Sequence, residues 1–145
     1  MSSPDAVAAR LDALLGRLER EFSGAVEVNV KPARWAESIV ITSVEPQLQD
    51  RCGVWWWHDD DEIQFGVGEH AYWERRADLD AVDLLEQLLE AAAAGDVTEH
   101  IGMNDVVVRI TLPNGRRERY LAISQGNLFR LPWHRKRRYL PWQAD

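Results

Sequence analysis

The chain has 145 residues, a formal net charge of −7, 46% hydrophobic and 28% charged residues, and one cysteine. That length suits a single domain, 1–145, able to bury one sizeable core. A lone Cys52 rules out an internal disulfide and any zinc site built on several cysteines, and the acidic balance opposes nonspecific binding to nucleic-acid phosphates.

No stretch approaches the ~20 apolar residues of a membrane helix. Met1-Ser2-Ser3-Pro4-Asp5 lacks the basic and apolar regions of a signal peptide. A cytoplasmic protein with no membrane partner is therefore expected.

The first element is a helix from about Pro4 to Phe22. Ser3 can cap it and Pro4 suits its first position, while Val7, Leu11, Leu14, Leu15, Leu18 and Phe22 form one apolar face and Gly24 ends it. Three or four strands follow. Ala25–Val30 alternates, Ser38–Val44 is β-branched and closed by Pro46, and Gly53–His58 with Glu62–Gly68 reads as a hairpin; Ala71–Glu74 extends it or forms its own strand. A second helix takes Asp80 as N-cap, with Leu79 and Leu84 as a staple, Val82, Leu85, Leu88, Leu89 and Ala92 as the buried stripe, and Gly95 as the stop.

A short strand Val97–Ile101 precedes a hairpin of Asp105–Leu112 and Arg117–Ile123 around Pro113-Asn114-Gly115. The tail 126–145 carries Leu128, Phe129, Leu131, Trp133, Tyr139, Leu140 and Trp142, which predicts that it packs back onto the body. The fold class expected is α+β: an antiparallel sheet of about six or seven strands with two helices packed on it. Whether the helices share one sheet face stays open.

Charge is sorted along the chain. Residues 1–105 hold 22 Asp/Glu and 8 Lys/Arg, whereas residues 106–145 hold 2 and 9. Within the acidic part lies Val54-Trp55-Trp56-Trp57-His58-Asp59-Asp60-Asp61-Glu62. A two-residue loop at Asp60-Asp61 pairs Trp57 with Gln64, Trp56 with Phe65 and Trp55 with Gly66. Ile63, Phe65 and Val67 then share the core face with Val54 and Trp56, and Trp55 and Trp57 point the other way. If that second face is open, Trp55 and Trp57 beside Asp59, Asp60, Asp61 and Glu62 make an acidic, aromatic docking surface for a basic protein. If both faces are covered, all three rings are structural.

His58, Asp59, Asp61, Glu62, Glu69 and His70 can ligate metals chemically, but neither EF-hand spacing nor a His-x-x-x-His pair is present. No metal or cofactor is expected. The four histidines are scattered, no Gly-x-Ser-x-Gly elbow exists, and Cys52 reads as a small core residue, so no catalytic residue is assigned and a non-enzymatic role is expected.

Arg135-Lys136-Arg137-Arg138 between Trp133 and Tyr139 has the aromatic–basic interleaving of single-stranded nucleic-acid binders. Four adjacent charges cannot all leave a strand on one side. The preferred reading makes them, with Arg109, Arg116, Arg117 and Arg119, an internal counter-charge to the acidic body.

The acidic tryptophan hairpin, the Leu79–Gly95 helix and the closing Arg138-Tyr139-Leu140-Pro141-Trp142 resemble small uncharacterised bacterial proteins, among them immunity proteins of polymorphic toxin systems. The resemblance implies a compact cytosolic protein that plugs the active site of a cognate toxin, and it carries no residue-by-residue correspondence. The leading expectation is accordingly an immunity or inhibitor protein whose partner is a basic toxin or effector domain. Alternatives are a nucleic-acid-associated regulator using Arg135–Arg138, and a chaperone or adaptor for a secreted protein.

Overall fold

The computed structural model describes residues 3–102, 105–123 and 135–143. Helix α1 (Pro4–Glu21) starts as its sequence dictates: extended Ser3 accepts a hydrogen bond from the Ala6 N–H at 3.2 Å, with Pro4 in the first turn. Val7, Leu11, Leu14 and Leu18 form its buried stripe, and Gly24, at φ +82°, turns the chain out of it.

Five strands then run as an antiparallel meander in sequence order: β1 (Val26–Ala33), β2 (Ala36–Pro46), β3 (Val54–His58), β4 (Glu62–Val67) and β5 (Ala71–Arg76). The β3–β4 register pairs Trp55 with Gly66, Trp56 with Phe65 and Trp57 with Gln64, closed by an Asp59 N–H to Glu62 carbonyl bond of 2.9 Å. This is the register that a two-residue loop at Asp60-Asp61 gives.

Helix α2 (Leu79–Ala94) is capped by Asp78, not Asp80; the Asp78 carboxylate accepts the Ala81 N–H at 2.9 Å. Asp80 sits instead in the first turn, where its charge suits the positive end of the helix dipole. Gly95 ends the helix in the left-handed conformation at φ 79°.

Strands β6 (Val97–Ile101), β7 (Asp105–Thr111), β8 (Arg117–Ile123) and β9 (Arg135–Arg138) form a second antiparallel sheet in the order β8-β7-β6-β9. The α+β class holds, but the expected single sheet of six or seven strands is, among the described residues, nine strands in two sheets. Strand β9 carries no apolar alternation that would announce it. It is a strand because the free edge of β6 offers it a ladder.

Helix α2 packs against both β4 and β7, and α1 packs on α2. Both helices therefore bury against one face of the first sheet, with Val44, Val54, Trp56, Ile63, Phe65, Val67 and Trp73. Arg10 and Arg17 of α1 bridge to Asp83, Glu86 and Glu90 of α2 at 2.5–2.9 Å. The acidity of α2 is thus answered by the first helix, and among the described residues not by the C-terminal arginines.

The described end of the tail packs back as expected; Leu128, Phe129, Leu131 and Trp133 lie outside the described residues. Trp142 is fully buried, its ring meeting Phe22 edge-on at 5.1 Å. Its indole N–H donates to the Cys52 carbonyl at 2.7 Å and its backbone N–H to the Ala93 carbonyl at 3.0 Å. A Trp142→Ala substitution should destabilise the domain by about 3–5 kcal/mol, measured by urea unfolding; a loss below about 1 kcal/mol would show that the C-terminal segment is not integral to the core.

Candidate functional site

The face of the first sheet opposite the helices carries, by strand alternation, Ser43, Trp55, Trp57, Gln64, Gly66, Tyr72 and Glu74. No helix covers it. The two predicted tryptophans behave differently there. Trp57 is only 8% exposed: Trp35 lies across it at 5.8 Å and 68°, and its indole N–H donates to Gln64 Oε1 at 2.7 Å. Gln64 Nε2 in turn donates to Glu74 Oε1 at 2.7 Å, so a hydrogen-bonded chain crosses β3, β4 and β5. Trp55 is half-buried, lying flat on Gly66, where an added Cβ would come within 2.2 Å of its indole nitrogen.

The ring that faces solvent is Trp35, at 61% exposure, in the β1–β2 turn. An up-and-down meander puts the β1–β2 and β3–β4 turns at the same end of the sheet, so Trp35 replaces Trp57 as the aromatic beside the acidic tip. Sequence reasoning missed it because nothing local marks a turn residue as folding over a neighbouring hairpin. Val30 and Val40, 56% and 44% exposed, lie near the same turn but on the other face of the sheet, the one shared with Thr42 and Trp56.

The aspartates divide their roles. Asp59 Oδ1 accepts the N–H groups of Asp61 and Glu62 at 2.9 and 2.8 Å, shaping the turn. The Asp60 and Asp61 carboxylates are exposed and have no partner among the described residues, and Glu62 is half-buried opposite Arg76. Among the described residues, none from the C-terminal segment engages them. His58, Asp59, Asp61 and Glu62 lie at one end of β4, while Glu69 and His70 lie beyond the other, about 20 Å away along a six-residue strand. The six possible metal ligands are not brought together, and among the described residues no group of three or more His, Cys, Asp or Glu is placed to hold an ion.

At that far end a cleft of about 390 Å³ is lined by Trp55, Arg51, Glu69, Arg137 and Tyr139. Beneath it Glu99, 1% exposed, accepts a hydrogen bond from the Tyr139 hydroxyl. Burial, followed by that bond, holds the Tyr139 phenol well above the ordinary tyrosine value of 10.0. Burial likewise pushes the Cys52 thiol up, which keeps it protonated and non-nucleophilic. Arg137 lies over the Tyr139 ring at 4.6 Å and 3.7 Å from Asp50.

Strand alternation splits the basic run. Arg137 turns inward, whereas Lys136 and Arg138 turn outward onto the open face of the second sheet; the Arg135 side chain lies outside the described residues. Arg116 pairs with Glu118 at 2.7 Å, but Arg109, Arg117, Arg119, Lys136 and Arg138 have no ion pair among the described residues. For those five the expected internal counter-charge role does not hold, because the sheet points them away from the acidic body.

No family model, curated protein or solved structure matches the chain.

Two outcomes test this geometry. Tyr139→Phe should cost about 1–3 kcal/mol by leaving the buried Glu99 carboxylate short of a donor. Because folding raises the phenol's pKa, the stability it contributes is intact below the unfolded value of about 10 and is lost as pH rises further. Urea midpoints of the parent should therefore fall above about pH 10 more steeply than those of Tyr139→Phe. Gly66→Ala should lift the Trp55 ring off the sheet. Acrylamide quenching of tryptophan emission should then rise in Gly66→Ala and stay flat in Gly66→Ala with Trp55→Phe.

Proposed function

We propose that the chain is a binding protein that docks a basic partner on the turn end of its first sheet, and that it acts as an inhibitor or immunity protein for that partner. The observation that carries this reading is the exposed Trp35 ring, seated on buried Trp57, beside the unpaired carboxylates of Asp60 and Asp61. A large aromatic held on a rigid base loses little conformational freedom on binding, and such rings are common energetic anchors at interfaces. The adjacent carboxylates steer a cationic surface towards it. Glu37 and Glu74 add negative charge on the same face, while Lys31, Arg34, Arg75 and Arg76 are the cations nearby.

A partner of matching chemistry presents arginine or lysine around an apolar pocket. Phosphate-handling effectors have such active sites, because their substrates are anionic. A carboxylate pair can occupy the positions where phosphate oxygens bind.

The test is rescue of growth. Products of the genes flanking this one are expressed singly in a naive host, with and without the chain. One of them should arrest growth, and the parent chain should restore it. Trp35→Ala should weaken the complex by about 30-fold or more, equivalent to about 2 kcal/mol. Asp60→Asn with Asp61→Asn should slow association and flatten its salt dependence. Equal rescue and equal association kinetics by parent and variants would remove this end of the sheet as the docking surface.

A further inference from the structure

The open face of the second sheet has a different chemistry. Register places Arg138 opposite Thr98, Thr98 opposite Arg109, and Arg109 opposite Arg119, a single row across all four strands. Arg117 and Lys136 lie two residues from Arg119 and Arg138 and share their face. With strands about 4.8 Å apart and residues about 3.3 Å apart, the five cations cover about 15 Å by 7 Å. They line a depression of about 480 Å³ together with Thr98 and Thr111. Two carboxylates also line the depression, Asp96 at its margin and Glu118, which is paired with Arg116 at 2.7 Å, and Asp105 lies farther along the same face.

The Arg109–Arg119 pair is the telling feature. Like charges directly opposite on neighbouring strands destabilise a sheet. No carboxylate relieves this pair among the described residues, although Arg10, Arg17 and Arg116 elsewhere in the chain all have one. A face that carries such repulsion is completed by an anion from outside. Its width calls for several anionic groups in line, not one. Guanidinium groups in this arrangement match phosphate oxygens two at a time.

We infer that this face binds the phosphodiester backbone of duplex nucleic acid. The duplex is favoured over a single strand because the outward positions of the described strands hold no Phe, Tyr or Trp on which unpaired bases could stack. The apolar side chains there are Val107 and Leu121, the latter 54% exposed. The contact is to backbone only, so it is independent of base sequence; the net charge of −7 opposes it at long range, and the five clustered cations act against that locally. It is also independent of the docking surface proposed above, since it uses the other sheet.

Fluorescence anisotropy of a labelled DNA duplex of about 20 base pairs tests the inference, over salt from about 50 to 200 mM. The parent should bind with a log–log salt slope of about −3 to −4, as expected when several cations each displace a counterion. Arg109→Gln with Arg119→Gln should lower affinity at least tenfold at low salt and make the slope less steep by about 2. The same variant should unfold at the same or higher urea concentration than the parent, because it relieves the like-charge pair; weaker binding then cannot be ascribed to misfolding. Trp35→Ala should leave duplex binding unchanged. The inference is overturned by absence of binding at low salt, by an unchanged slope in the double variant, or by a single-stranded oligonucleotide or poly-glutamate binding as tightly as the duplex.

Discussion

The architecture depends on the burial of Trp142. Its indole touches Phe22 at the end of α1, its backbone hydrogen-bonds the end of α2, and its ring nitrogen donates to Cys52 before β3. Leu140 and Arg51 add a short parallel bridge beside it, and Arg51 reaches the Pro141 carbonyl at 2.9 Å. One residue, through its ring and its backbone, thus ties both helices to the loop between β2 and β3. The strand just before it, β9, is bonded to β6. The two sheets keep their relation because this segment is fastened to both, and Gly95 makes room for it: a Cβ there would meet the Pro141 nitrogen at 2.8 Å.

That clamp determines which charges meet. Drawing β9 along β6 brings Arg137 over Tyr139 and near Asp50, and lets Tyr139 satisfy the buried Glu99. A carboxylate buried in a core strand is costly without a donor. Tyr139 supplies it from 40 residues away in sequence. The same pairing sends Lys136 and Arg138 outward, where they join Arg109, Arg117 and Arg119. The basic face is therefore a consequence of the clamp, assembled from three separate strands.

The acidic end of the first sheet arises from more local causes. The Asp60-Asp61 loop, the flat packing of Trp55 on Gly66 and the Trp57–Gln64–Glu74 chain all follow from one hairpin register. What that register alone cannot supply is Trp35, which comes from the neighbouring hairpin and covers Trp57. The exposed aromatic is thus a tertiary product laid on a local scaffold. Both described helices lie on the far side of the sheet, so neither covers this face.

Local order explains what could be read from the residues alone. Capping by Ser3 and Gly95, the apolar stripes of both helices, the β3–β4 register and the Pro113-Asn114-Gly115 turn each depend on contacts between near neighbours, and periodicity reports those directly. The division into two sheets, the strand character of Arg135–Arg138, the covering of Trp57 and the grouping of the unpaired arginines needed the fold. Each depends on which distant backbone edge or side chain arrives at a given place. Alternation states that Arg137 and its neighbours face opposite ways; only the docking of β9 on β6 decides which way is inward.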